Sequence, residues 1–217
     1  MKKIRKIIVI LIILVILLGT GYFVYTRYFN KSEEPEIKVE KKIEGYGYTL
    51  DENETELYKE EFNNLETILE ASEVDYEEYA KSVAKLFIID FYTLDNKLSK
   101  NDIGGVIFLR KDIKDNFIEK ARSTFYKYVE IKEGRTQELP VVSSINEVAV
   151  EKTTFTIKKI SKTTTKNAKG NYTNVGETIE AYKVNISWSY EEDLGYETYK
   201  TIYLVNDGKK LSIIEID

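Results

Sequence analysis

Cysteine and histidine are both absent from this chain. Without cysteine there can be no disulfide, no thiolate nucleophile and no lipid-modified cysteine. Without histidine, histidine-dependent catalytic triads are impossible. Zinc or copper would have to be held by carboxylates alone, a donor set those metals rarely use. Basic charge is scarce outside the amino terminus: residues 1–31 hold six basic and no acidic side chains, and removing those six from the overall −5 leaves −11 for residues 32–217. Nucleic-acid binding depends on clustered Lys and Arg to neutralise phosphates, so nucleic acid is not an expected partner. No cofactor motif and no metal-ligand spacing stands out, and none is expected.

What is present begins with an apolar run. Residues 7–25 read IIVILIILVILLGTGYFVY without a charge, and nineteen helical residues cover roughly 28 Å of hydrocarbon. Lys2, Lys3, Arg5 and Lys6 precede the run, while Arg27 and Lys31 follow it, a bias that favours an amino terminus held inside. Tyr22, Phe23, Tyr25, Tyr28 and Phe29 suit a membrane interface better than a signal-peptidase site. The expectation is a single-pass membrane protein: residues 1–6 cytoplasmic, 7–25 a transmembrane helix, 26–49 a juxtamembrane linker and 50–217 one domain outside the cell membrane. The linker expectation rests on KSEEPEIKVEKKIEGYG, rich in charge and poor in large apolar residues. With 42% hydrophobic and 12% aromatic residues, the remainder can build a packed core.

From Asn53 the apolar spacing is helical. Tyr58, Phe62, Leu65 and Leu69 define a first helix. Asp75 and Glu78 form a capping box before Tyr76, Ala80, Val83 and Phe87, which predict a second helix ending near Lys97. Gly104 and Gly105 break the chain. Ile113, Phe117, Ala121, Phe125 and Tyr128 then predict a third helix from Asp112 to about Glu130.

Beyond Pro140 the period falls to two. Tyr182, Val184, Ile186, Trp188 and Tyr190 alternate with polar residues, as in a strand with one buried face. Asn206-Asp207-Gly208 predicts a hairpin closed by an Asp-Gly turn. Val148 and Val150 have the opposite parity to Phe155 and Ile157, which predicts a long strand with a bulge near Lys152. Three helices followed by about four antiparallel strands predict an α+β domain in which a curved sheet wraps the helices.

That order of elements resembles the nuclear transport factor 2-like cone fold. An amino-terminal anchor joined to such a domain is similar to the extracytoplasmic scaffold subunits of Gram-positive conjugation machines, and the domain resembles the one preceding the transpeptidase in some penicillin-binding proteins. The resemblance covers residues 50–217 and implies a non-catalytic interaction or scaffold module of a bacterial envelope complex, with the membrane, envelope proteins and further copies of itself as partners.

The alternative is a ligand-binding or enzymatic cone using Asp90 and nearby tyrosines. Asp90 stands alone in Leu86-Phe87-Ile88-Ile89-Asp90-Phe91-Tyr92, and a carboxylate in such surroundings can serve as a general base or a neutral donor. The resemblance adds that the cone fold hosts such an Asp base in ketosteroid isomerase. Against this, Asp90 could simply satisfy a buried lysine, tyrosine or backbone group, and its place in a helix predicts no catalytic partner. The segment Asp95–Gly105 carries Lys97 where a calcium loop needs an oxygen ligand, so it reads as a turn. Lys158, Lys159, Lys162, Lys166 and Lys169 read as a solvated hairpin with guarded edges. Tyr196, Tyr199 and Tyr203 read as ordinary strand residues. The triplets at Asn53, Asn171 and Asn185 are unremarkable in a chain rich in Asn, Ser and Thr.

Overall fold

The computed structural model describes residues 15, 16, 18–21, 38–160 and 174–217. The chain divides into two units, Met1–Glu36 and Ile37–Asp217. Of the first, six residues are described and all are helical. Among the described residues, no helix is long and apolar enough to cross a membrane. Spanning takes about twenty consecutive apolar helical residues, and the described helical residues of this unit do not supply them. The transmembrane helix expected at residues 7–25 is therefore not upheld, and most of that segment, with residues 1–6, lies outside the described residues. The single-pass placement and the inside and outside assignments were drawn from that anchor, and they fall with it.

The second unit is α+β and opens with strands where a linker was expected. Strand β1 (Val39–Ile43) pairs antiparallel with β2 (Tyr48–Asp51). Ile43, Tyr48 and Leu50 are buried in the main core, so this hairpin is part of the domain. The Tyr48 hydroxyl donates to the Leu211 carbonyl at 2.8 Å and lies 2.7 Å from the Tyr79 hydroxyl, which accepts the Leu211 N–H at 3.0 Å.

Helix α1 (Glu56–Glu70) starts where the Thr55 hydroxyl accepts the Tyr58 N–H, and it buries the expected stripe of Tyr58, Phe62, Leu65 and Leu69. Helix α2 (Tyr76–Tyr92) is capped by Asp75, whose carboxylate accepts the N–H groups of Glu77 and Glu78. Nearly all of α2 from Tyr79 onward is buried, as befits a helix enclosed on every side. It ends five residues before the predicted Lys97. Thr93 turns to extended backbone, and the Leu94 N–H is taken by the Pro140 carbonyl at 2.9 Å, which draws the chain off the helix axis. Helix α3 (Lys111–Ser123) is also shorter than predicted: the Ala121 carbonyl accepts the N–H groups of both Thr124 and Tyr126, closing the helix. Consequently Tyr126 is buried, whereas Tyr128 is 71% exposed.

Strands β3 (Val142–Ile160), β4 (Asn174–Tyr190), β5 (Tyr199–Asp207) and β6 (Lys210–Ile216) form an antiparallel sheet in sequence order. One face, including Val184, Ile186, Trp188, Ile202, Leu204 and Ile213, joins the helices in the main core. The opposite face carries its own apolar cluster of Ala181, Val205 and Ile214 with Phe155, Ile179 and Tyr203. The parity change between Val150 and Phe155 thus marks two apolar faces of a strand that pairs without interruption from Glu147 to Ile160. The register shifts of β3 lie at Val142/Ser144 and Ile145/Glu147 instead of near Lys152. Asp207 pairs with Lys210, so Gly208-Lys209 is the turn, with Gly208 at φ 71° in its first central position. The β3–β4 connection, with Lys162, Lys166, Lys169 and Asn171, lies outside the described residues.

Replacing Tyr48 with Phe removes two buried hydrogen bonds and should cost about 1–2 kcal/mol of stability in urea unfolding. A change of zero would place the hairpin outside the folding unit.

Candidate functional site

Asp90 lies in the last turn of α2, where exposed helix carbonyls disfavour a negative charge. Because the helix stops at Tyr92, the following segment can curl back, and it brings Lys97 into an ion pair with Asp90. Lys97 is 2% exposed, and Glu54 stands 3.9 Å from the same ammonium. The second Asp90 oxygen accepts the Gly105 N–H at 2.6 Å. The approach requires glycine: a Cβ at Gly104 would collide with the Asp90 carbonyl and carboxylate, and Gly105 has φ 74° with Phe87 directly behind it. The Tyr126 hydroxyl completes the turn, accepting the Gly104 N–H at 3.1 Å and donating to the Phe91 carbonyl at 2.7 Å.

Electrostatics follow from this crowding. Burial pushes Lys97 toward its neutral form, but Asp90 and Glu54 outweigh it and hold the ammonium above its usual range. Burial, reinforced by Asp90, pushes the Glu54 carboxyl up to about 8, against the pull of Lys97. The Tyr58 phenol is also raised, first by burial and then by Asp90, Glu54 and Asp51. A polar cavity of about 150 Å³ opens here, lined by Asp51, Asn53, Glu54, Tyr58, Asp90 and Asp102 among others. With both Asp90 oxygens engaged, its carboxylate serves as a buried anchor for Lys97 and the glycine turn.

On the other side of α2 lies a larger, apolar cavity of about 370 Å³ between α2, α3 and the β5–β6 end of the sheet. Phe87, Phe91, Phe117 and Phe125 line it, with Lys120, Glu197, Lys200 and Glu215 as polar members. These rings pack on one another: Phe91 stacks on Phe87 at 5.5 Å and on Phe125 at 5.4 Å. Tyr92 bridges outward, donating from its hydroxyl to Glu197 at 2.9 Å and lying 4.6 Å from the single tryptophan, Trp188. No known relative guides the choice between these cavities. The chain matches no family model, no curated protein and no solved structure.

The remaining sequence candidates are dispersed. In the Asp95–Gly105 turn, the Asp102 carboxylate accepts the Leu98 N–H at 2.9 Å. Among the described residues, no three acidic side chains are grouped to hold a metal ion. Tyr196 precedes β5 and packs on Phe125, Tyr199 is 55% exposed, and Tyr203 lies against Phe155 on the outer face. Asn53 donates to the Asn96 carbonyl, and Asn185 accepts from Tyr199 and Thr201. Lys158 and Lys159 lie in β3. The sequence led to a lysine, tyrosine or backbone partner for Asp90 without saying which, and Lys97 and the Gly105 N–H fill that role; Glu54 and the aromatic cavity were missed. The only local signal was a lysine seven residues after an apolar-flanked aspartate.

Replacing Asp90 with Asn strands the buried Lys97 ammonium and should cost about 3–5 kcal/mol in urea unfolding, whereas an exposed or catalytic Asp90 would tolerate the change. Because the Glu54 pKa is raised in the folded state, its contribution to stability is full below the unfolded carboxyl range near 4.5 and is lost as pH rises through about 8. Urea unfolding between pH 5 and 9 should therefore show stability falling by up to about one proton's linkage, and Glu54→Gln should flatten that slope.

Proposed function

We propose that residues 38–217 form a non-catalytic binding module that takes a small apolar or aromatic molecule in the cavity beside α3. The aromatic lining carries this reading: a concave space of about 370 Å³ walled by four phenylalanines, with a few charged side chains, falls within the size range and chemistry of small-molecule sites. Asp90 lies in the other cavity with both oxygens engaged, and no histidine or cysteine exists to act as base or nucleophile beside the rings. Three helices preceding a four-stranded antiparallel sheet support the likeness to the nuclear transport factor 2-like cone, in which the space between helices and sheet is the natural pocket.

Trp188 provides the readout, since its contact Tyr92 lines the cavity. Titration with the uncharged probe N-phenyl-1-naphthylamine should quench or shift tryptophan fluorescence saturably. Ala121, buried in the cavity wall, offers the control. Ala121→Leu should fill the space and weaken probe binding about tenfold, a difference of about 1.4 kcal/mol. Absence of saturable binding would leave the protein-interaction reading. Its support is the β3–β4 ribbon, whose paired residues from Thr153 to Ile160 and from Asn174 to Ala181 extend past the residues of β4 that pair with β5.

A further inference from the structure

The polar cavity beside Asp90 is lined by more acidic than basic groups. Four acidic side chains, Asp51, Glu54, Asp90 and Asp102, surround it against one ammonium, Lys97, which is already paired with Asp90; Glu54 accepts from the Asn96 amide and Asp102 from the Leu98 N–H. Asp51 is half-buried, and among the described residues its carboxylate makes no hydrogen bond and feels Lys97 only through space. The Tyr58 side chain is 1% exposed and lines the cavity, and among the described residues its hydroxyl has no hydrogen-bond partner. The Tyr58 hydroxyl, at the tip of an otherwise buried ring, thus opens onto this cavity without a partner from the described protein, which points to an occupant that supplies one. What these groups offer is mainly acceptor capacity, and the local charge is negative. The occupant must therefore bring positive charge and several donors.

A metal ion does not meet that description, because among the described residues no three acidic groups are placed to share one. A guanidinium or primary ammonium does, since its N–H groups fan out to acceptors that do not converge on a point. We infer that this cavity binds a small organic cation bearing a guanidinium or primary ammonium group, held by Asp51, Glu54 and the Tyr58 hydroxyl. Half-buried Asp51, Asn53 and Asp102 leave the cavity accessible from solvent.

The site is linked to pH. Asp51 of β2, Tyr58 of α1, Asp90 of α2, and Lys97 and Asp102 of the segment between α2 and α3 all border the cavity with Glu54. At neutral pH Glu54 keeps a proton in this negative environment. A bound cation replaces that proton, so affinity rises as pH climbs toward 8 and each binding event releases up to about one proton.

Isothermal titration of the full chain with ethylguanidinium chloride, at pH 6.5 and pH 8.5, tests the assignment. The expected result is one saturable site, about tenfold tighter at the higher pH, with no competing heat from tetramethylammonium chloride, which has the charge but no N–H donor. Asp51→Asn and Tyr58→Phe, both close in shape to the native residues, should each weaken binding about tenfold while circular dichroism stays native. Absence of saturable heat from ethylguanidinium, equal binding of tetramethylammonium, or unchanged affinity in both variants would each overturn it.

Discussion

The ion pair between Asp90 and Lys97 ties three parts of the domain together. Asp90 comes from the end of the central helix, Lys97 from the segment that leaves it, and the Gly104-Gly105 turn closes over both. A buried pair of this kind contributes little net stability against its desolvation, but removing either partner leaves an uncompensated charge, so the local arrangement is held in one geometry. Tyr126 and the glycines complete that geometry with backbone hydrogen bonds. The course of the chain from Thr93 to α3 follows from it.

The same turn sets the two cavities apart. On one side, carboxylates gather around Lys97 and outnumber it. On the other, Gly105 backs onto Phe87, and the phenylalanine rings open toward α3 and the sheet edge. Helix α2, buried over most of its length from Tyr79 onward, lines both of these environments, one acidic and hydrogen-bonding, the other aromatic. The sheet shows a related economy: its inner face completes the main core, while Phe155, Ile179 and Tyr203 shield a second, smaller cluster outside.

Much of the architecture was legible in the sequence. The stripe of Tyr58, Phe62, Leu65 and Leu69, the Asp75 cap and the alternation from Tyr182 to Tyr190 each report a local period, and each appears in its expected element. Boundaries failed where a distant group intervened: Pro140 drew Leu94 away from α2, and a shared carbonyl at Ala121 ended α3 before Tyr126. The apolar run at residues 7–25 suggested an anchor by composition alone, and no described helix upholds it. The hairpin of β1 and β2 was hidden because only Ile43, Tyr48 and Leu50 mark it as core, in a stretch otherwise dominated by charge.

The sequence by itself determined the chain's acidity, its exclusion of histidine and thiol chemistry, and the periodicity that makes helices precede strands, since these depend on composition and on neighbours within a few turns. Tertiary structure alone decided that Lys97 answers Asp90, that Glu54 is forced toward its neutral form, that Phe155 belongs to a second sheet face, and that four phenylalanines enclose a cavity. Those outcomes arise from groups far apart in the chain meeting where water is excluded, and no local pattern records that meeting.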